Sequence, residues 1–279
     1  MENEMNGGLP IDNLDDLKEN VKMCGFGEHF NNEIEEKVRA GLKEFSLGKP
    51  SQIEKDQISY VLDVRIDHDK RKGYVNDLHA ALKEENGVER SQRFPRFLRV
   101  TAKEAYNMLK WGQDTSVEKK LFNKEGKPYH SFIMLNTAGN KDENGNYPLQ
   151  QFHDRYYSKK PFALETELQK LGIPVKELET NPDYILSSLK RGNMTAVTIF
   201  RNGQEEKGFL SVNAKAGKID VRDQNKMVIE VKNQSVSISE SKTESVTQNN
   251  QAEEVKKNFS PERQVNWAQK QSQHKGVGR

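Results

Sequence analysis

The periodic pattern of apolar residues ends near residue 230, and this limit constrains the fold more than any other feature. From about Val231 the chain is rich in Ser, Gln, Asn, Glu and Lys without a sustained period. Such a segment cannot bury enough apolar surface to offset the entropy lost on ordering. We therefore predict a frayed N-terminus over residues 1–12, a folded part over 13–230 and a disordered tail over 231–279.

Helical periodicity comes first in the folded part. Asp12 or Asn13 is placed to cap a first helix, and a second helix is predicted from about Asn31 or Asn32 to Leu42. The apolar residues of each recur every three or four positions on one stripe. Two short amphipathic helices therefore open the fold.

The period then changes to two. Over residues 58–69 apolar residues alternate with charged ones, which predicts a half-buried strand with a charged outer face. The segment Tyr74–Lys83 fits either a strand or a helix by its apolar spacing. We favour a strand, because residues 85–87 form a tight-turn signal and residues 91–100 resemble a third strand.

A mixture of helices and strands fills the rest of the folded part. Thr101 and Glu104 form a capping box that opens a short helix, and Gly112 ends it. A meander of three strands, two helices, a hairpin and a last short strand follow. Their approximate ranges are 117–122, 129–135 and 147–153 for the meander, 162–171 and 182–190 for the helices, 194–200 and 206–213 for the hairpin, and 218–223 for the last strand.

Together these patterns predict an α+β fold of antiparallel strands and meanders with short flanking helices. We divide it into an N-terminal α+β unit over 13–115 and a C-terminal α+β unit over 116–230. Both run strands around short helices, which suggests related units, although no residue-level repeat is apparent. Whether the two halves form one domain or two stays open.

Charge and cysteine content exclude several classes of protein. Forty-four Lys and Arg against 42 Asp and Glu give a net charge of +2, and residues 231–279 hold eight basic and five acidic residues. The folded part therefore carries about −1, too little to steer it as a whole onto nucleic acid or a membrane. The single Cys24 excludes an internal disulfide and a Cys-based zinc site. With no apolar leader and no long apolar run, we expect a cytoplasmic protein without membrane contact.

Motifs for catalysis and for cofactor binding are absent from the sequence. No glycine-rich phosphate loop, zinc-protease motif or nucleophile elbow is present, and the six histidines are scattered. Asp63, Asp67 and Asp69 share a strand face, where a solvated outer face is favoured over a divalent-cation site. The loop from Asp142 resembles an EF-hand but has Tyr147 where glycine is required. We predict a protein that is not an enzyme and has no cofactor or metal.

One folded segment combines basic and aromatic residues. Its guanidinium groups are suited to phosphates and its rings to stacking on bases, which makes it a candidate nucleic-acid contact. The alternative is an edge strand with a solvated basic face, in which Pro95 interrupts the ladder. The candidate residues are Arg90, Arg93, Phe94, Arg96, Phe97 and Arg99.

The segment 231–279 carries further candidates. Its three candidate cations can follow a phosphate backbone or can be merely solvated. A short helix over about 261–271 would present two apolar residues either to a partner protein or to the folded part of this chain. The cations are Lys256, Lys257 and Arg263, and the pair is Val265 and Trp267.

Several segments, taken in order, carry a resemblance. They are TAKEAYNMLKWG, LFNKEGKPYHSFIMLN, KDENGNYPLQQFH, LETELQKLGIPVKEL and SSLKRGNMTAVTIFRNGQEEKGFLSVNAKAGKIDV. With CGFGEHFNNEIEEKVRAGLKEF upstream, the chain over about 15–230 resembles the bacterial family known only as domain of unknown function 3945. It departs from that family at Met108–Asp114 and Asp154–Ser158. The resemblance implies carriage on conjugative or integrative elements of gut bacteria, often beside DNA-processing genes, and brings no activity or catalytic residue.

The expected function follows from these points. We expect a non-catalytic accessory protein of a mobile element that acts through protein–protein contacts, with the DNA-processing machinery of the element as a candidate partner. Direct binding of single- or double-stranded nucleic acid is the alternative. A remote alternative is an enzyme with an unrecognised active site.

Overall fold

Residues 10–157 and 161–230 are the part of the chain that this computed structural model describes. Within these ranges, ten strands form three antiparallel sheets, flanked by six short α-helices. The predicted α+β class with antiparallel meanders is confirmed. The predictions for residues 1–9 and 231–279 lie outside the described residues, including those for Lys256, Lys257, Arg263, Val265 and Trp267.

The first sheet is a four-stranded meander in the order β1-β2-β3-β4. Helices α1, α2 and α3 cover the apolar face of this sheet, and their buried residues join its core. The strands are β1 Glu44–Ile53, β2 Asp56–Asp67, β3 Lys72–Lys83 and β4 Glu89–Phe94, and the helices are α1 Leu14–Val21, α2 Asn31–Arg39 and α3 Ala102–Trp111.

Helix α1 is fixed to β3 at Gly73. Asn13 precedes α1, but its side chain makes no cap; Oδ1 accepts from the Gly73 N–H at 2.7 Å and Nδ2 donates to the Gly73 carbonyl at 2.9 Å. A Cβ on Gly73 would lie 2.7 Å from the Leu17 side chain. The predicted cap is therefore wrong, because the amide of Asn13 bonds across to the sheet instead.

Some predicted elements agree with the structure and others end early. The strand prediction for Tyr74–Lys83 is confirmed. The strand predicted over 91–100 ends at Phe94, since Pro95 has no N–H for the ladder, and Arg96–Leu98 forms a 3₁₀ turn. Helix α2 ends at Arg39, so Leu42 lies beyond it and is exposed. Strand β1 had no prediction, because only its first half alternates clearly between buried and exposed positions.

Two further sheets follow, each with three strands. The second has the order β5-β6-β7 and the third the order β10-β9-β8. The predicted helix over 182–190 is confirmed with Pro182 at its first turn. The elements are β5 Val117–Phe122, β6 Pro128–Leu135, β7 Leu149–His153, α4 Leu164–Gln169, α5 Lys176–Thr180, α6 Pro182–Lys190, β8 Thr195–Arg201, β9 Gln204–Asn213 and β10 Lys218–Arg222.

The second and third sheets repeat one arrangement. In each, a helix ends close to a glycine with positive φ, +53° at Gly112 and +69° at Gly192, and an edge strand follows. Strand β5 begins five residues after Gly112 and β8 three residues after Gly192, but buried residues at equal distances from the two glycines correspond in pairs. These pairs are Leu109 and Leu189, Thr115 and Thr195, and Val117 and Val197. We call this unit the helix–glycine–strand corner.

Strand β6 separates two hydrophobic clusters. Ile133 and Leu135 point into the cluster under the first sheet, whereas Phe132 and Met134 point into the cluster formed with the third sheet. Polar bonds also join the two corners: Asn107 Nδ2 donates to the Arg191 carbonyl at 2.8 Å. The described residues belong to one compact unit. The predicted division near residue 115 stays a prediction.

Candidate functional site

A groove of about 950 Å³ runs between the C-terminal end of α1, strand β3, the turn after β4 and strand β5. It contains the exposed half of the basic aromatic segment and side chains from elsewhere in the chain. We call it the Phe97 groove and define it by Met23, Cys24, Arg96, Phe97, Arg99, Lys120 and Phe122.

Three large apolar side chains of the groove face solvent. Met23 is 65% exposed, Phe97 67% and Phe122 50%. Met23 faces outward because the chain leaves α1 through a wide helical turn, where Gly25 at φ +94° allows Phe26 to enter the core. Scattered exposed hydrophobic residues are common, but several lining one groove indicate a binding surface.

Three cations of the groove have no carboxylate partner within the described residues. Arg96 donates to the main-chain carbonyl of Val75, and the Arg99 guanidinium lies 5.7 Å from the centroid of the Phe122 ring. Lys120 makes no ion pair in the part of the chain that is described. The apolar surface of the groove is therefore bordered by positive charge that the protein does not neutralise itself.

The basic aromatic segment is divided by Pro95. Arg90 pairs with the buried carboxylate of Glu84, and Arg93 pairs with Asp77. Phe94 is 1% exposed, so its ring belongs to the core and is not available to stack on a base. After Pro95, the 3₁₀ turn directs Arg96, Phe97 and Arg99 to the groove.

Sequence reasoning missed Met23, Lys120 and Phe122 as groove residues. The signal that could have found Phe122 is its phase in β5, where Val117 and Leu121 are buried and Phe122 falls on the exposed side. A large aromatic residue at a position that alternation assigns to solvent is unusual. No local signal links Met23 to β5, because only the packed fold places both at the same groove.

The charges beside the groove include a second network centred on Glu118. His130 bonds to Glu118, the Lys190 ammonium lies 3.4 Å from the same carboxylate, and Asp154 lies 3.9 Å from the other ring nitrogen of His130. The bond with Glu118 raises the pKa of His130, and burial of the ring opposes this only partly. Glu118 therefore binds a charged histidine more readily than a neutral one.

We expect this network to make stability depend on pH. Because the folded pKa of His130 is raised above its ordinary value of 6.5, its contribution to stability is fully present below about pH 6.5 and is lost as pH rises through the folded pKa. Urea unfolding of the wild type and of His130→Gln should therefore differ more at acidic than at alkaline pH. A difference that is constant, or that grows with pH, would contradict this.

Other candidate chemistry in the described part is limited. Asp63 bonds to Ser46 at 2.8 Å and to His79 at 2.9 Å, and no group of three or more metal-binding side chains is present in 10–157 or 161–230. Burial raises the pKa of the Cys24 thiol, which disfavours the nucleophilic thiolate. A depression of about 910 Å³ on the outer face of the first sheet has no exposed aromatic lining.

Comparison with known proteins adds no identification: no family model, no curated protein and no solved structure matches this chain. The resemblance to domain of unknown function 3945 accordingly stays a prediction. No helix in the described ranges has the length and apolar character needed to cross a membrane.

Proposed function

We propose that this chain is a non-catalytic binding protein that acts through protein–protein contacts, with the Phe97 groove as its contact surface. The observation that supports this is the combination of exposed Met23, Phe97 and Phe122 in one groove. Aromatic residues, Met and Arg are enriched at the centres of protein interfaces, where they supply much of the binding energy.

The charges at the groove indicate an acidic partner. The charged side-chain groups of Arg96, Arg99 and Lys120 have no carboxylate partner among the described residues. A partner segment that offers carboxylates beside apolar side chains would neutralise these cations while covering the rings. Complementary charge of this kind mainly supplies specificity and speed of association.

A protein partner fits the groove better than nucleic acid does. Strong nucleic-acid binding requires many cations that contact phosphates, and two of the four arginines of the segment, Arg90 and Arg93, are already paired with Glu84 and Asp77. The remaining cations are few, and the folded part as a whole has almost no net charge.

Binding of single-stranded nucleic acid is the second candidate. It is favoured by one observation, that Phe97 and Phe122 lie exposed among unpaired cations, as the rings of stacking surfaces do. From the resemblance to domain of unknown function 3945 we further propose that either function serves a conjugative or integrative element. In that setting the DNA-processing proteins of the element would be the partners to examine first.

Affinity capture with matched variants tests the proposal. The full chain is used as bait in cells that carry its native element, and Phe97→Asp is compared with Tyr184→Asp. Tyr184 is an exposed aromatic residue outside the groove, so its variant controls for loss of surface hydrophobicity. We expect Phe97→Asp to weaken binding of the specific partner by roughly 30-fold or more, as for a central interface residue, and Tyr184→Asp to retain it.

Two outcomes would contradict a protein partner at the groove. Equal retention by both variants would remove the groove from the interface. Loss of every partner after nuclease treatment, with binding that falls steeply as salt rises, would instead favour the nucleic-acid function.

A further inference from the structure

Among residues 10–157 and 161–230, strand β5 pairs with β6 on one side only, so its other edge is free. The Asn123 N–H donates to the Lys127 carbonyl at 2.9 Å, and β5 pairs with β6 in the register Phe122↔Pro128 and Leu121↔Tyr129. In an antiparallel pair the main-chain groups of alternate residues point to the partner strand, and those between point away. Since Pro128 has no N–H, Phe122 belongs to the second set, together with Lys120 and Glu118.

The residues that carry these outward main-chain groups line the Phe97 groove. Glu118, Lys120 and Phe122 are all lining residues, and their outward N–H and C=O groups have no hydrogen-bond partner within residues 10–157 and 161–230. The groove therefore combines exposed rings and unpaired cations with a row of unused backbone donors and acceptors. An unpaired edge of this kind is a template for another strand.

The third sheet shows what covers the corresponding edge in the other helix–glycine–strand corner. There the Phe200 N–H donates to the Pro174 carbonyl at 3.1 Å, and Val175 forms an antiparallel bridge with Ile199. The Thr198 N–H donates to the Glu177 carboxylate at 2.8 Å. An extended segment followed by an acidic residue thus covers the edge of β8.

We infer that the Phe97 groove takes an extended, acidic and apolar peptide segment of a partner protein, which adds as a strand to the free edge of β5. This inference rests on the proposed function and specifies how the partner binds. Backbone hydrogen bonds to Lys120 and Phe122 hold the segment, while its side chains contact the exposed rings and the cations. In strand addition the main chain supplies affinity and the pockets for alternate side chains supply specificity.

Charge favours such a partner over a second copy of this chain. Pairing β5 with β5 of another copy around Lys120 would place two lysines opposite each other, and like charges opposite each other destabilise a strand pair. A charged residue on an exposed edge is also a common means of preventing self-association. An acidic segment turns the same lysine into a favourable contact.

Hydrogen exchange of the full chain tests the inference directly. The probe is the synthetic peptide acetyl-EVDFEID-amide, with the same peptide N-methylated at alternate residues as the control. In the free protein, the Lys120 and Phe122 amides should exchange at least about tenfold faster than those of Thr198 and Phe200, which are hydrogen-bonded. Saturation with the unmodified peptide should slow the Lys120 and Phe122 amides about tenfold or more.

A matched pair of variants adds a second measurement. Lys120→Pro removes an outward donor that the sheet does not use, whereas Lys120→Ala removes the charge and keeps the donor. We expect Lys120→Pro to weaken peptide binding by roughly 30-fold and Lys120→Ala by only a few-fold. If Lys120→Pro fails to fold, the N-methylated peptide still tests the inference, because it lacks the donors a strand needs.

The outcomes separate this inference from the proposed function. The peptide could bind to the wild type and not to Phe97→Asp, yet slow neither the Lys120 nor the Phe122 amide. This result overturns strand addition and leaves the groove as a protein-binding site. Slow exchange of both amides in the free chain overturns the inference, because the edge of β5 is then already covered. Slow exchange that persists at low protein concentration indicates a segment of the same chain, whereas slow exchange seen only at high concentration indicates a second copy. No binding of the peptide overturns the acidic partner, and the capture experiment then decides the proposed function independently.

Discussion

Replacing Lys110 with Met is expected to lower the free energy of unfolding by about 3–5 kcal/mol, the range for removing one partner from a buried ion pair. The Lys110 ammonium lies 2.9 Å from Asp56 Oδ2 and 2.7 Å from Glu84 Oε2. The side chains of these carboxylates are only 5% and 9% exposed. Without the ammonium, two negative charges remain close together with little solvent to stabilise them.

In the wild type, the two carboxylates beside Lys110 also accept hydrogen bonds from other side chains. Tyr106 donates its hydroxyl to Asp56 at 2.9 Å, and Arg90 donates to Glu84. Burial raises the pKa of Asp56, but hydrogen bonds from Lys110, Tyr106 and the Glu85 N–H outweigh burial and hold it below the usual value. Asp56 is therefore kept charged by its donors, and Lys110 is the cation that Asp56 and Glu84 share.

The pH dependence has a definite sign. Because the folded pKa of Asp56 is lowered, its contribution to stability is present above the unfolded pKa of about 3.8 and is lost as pH falls through the folded pKa. The raised pKa of Lys110 contributes below about pH 10.5 and is lost as pH rises through the folded pKa. The loss caused by Lys110→Met should therefore be largest near neutral pH and shrink in acid.

Lys55→Met is the matched control for this prediction. Lys55 also pairs with a glutamate, at 2.6 Å from Glu85, but both side chains are well exposed. Exposed pairs contribute little, so we expect a change within about 1 kcal/mol. Urea unfolding at neutral pH measures both variants, and equal losses for the two would contradict a buried network at Lys110.

Phe94→Ala is expected to lower the free energy of unfolding by about 3–5 kcal/mol, as for other buried phenylalanines. The Phe94 ring is 1% exposed and pairs across the sheet with Leu78 in the first core. Removing it deletes buried apolar surface and leaves a cavity that a close-packed core fills only partly.

Phe97→Ala provides a control three residues further along the same segment. Phe97 is largely exposed, so its removal should change stability by no more than about 0.5 kcal/mol. Its effect should fall on partner binding instead. Thermal or urea unfolding separates the two cases, and a loss at Phe97 as large as that at Phe94 would contradict the burial of one ring and the exposure of the other.

Local sequence patterns predicted elements whose signals lie within the element itself. The capping box of Thr101 and Glu104 opens α3, and Pro182 begins α6, because caps and proline act on the first turn of their own helix. Alternation along β2 predicted its buried face. Strand β1 was not predicted, because most of its second half is only partly buried and gives a weak apolar alternation. The position of β1 therefore depends on its pairing with β2.

The candidate site could be predicted only in part. The sequence singled out Arg96, Phe97 and Arg99, which line the groove. It grouped them with Arg90, whose side chain pairs with Glu84, and with Phe94, whose ring is buried. Composition cannot tell these residues apart, because an arginine paired with a buried glutamate and an arginine facing solvent look the same in sequence. The direction of each side chain depends on Pro95 and on what lies across the fold.

By itself, therefore, the sequence determined the class of fold and most of the helices and strands. It also identified a segment of arginines and phenylalanines as a candidate binding site. Periodicity, caps and turn residues act over a few neighbours, so they can be recognised locally. Tertiary structure alone decided which arginines are neutralised by Glu84 and Asp77, and it brought Met23 and Phe122 to Phe97. Met23, Phe97 and Phe122 are far apart in the chain, and they line one groove only once α1, the turn after β4 and β5 have packed together.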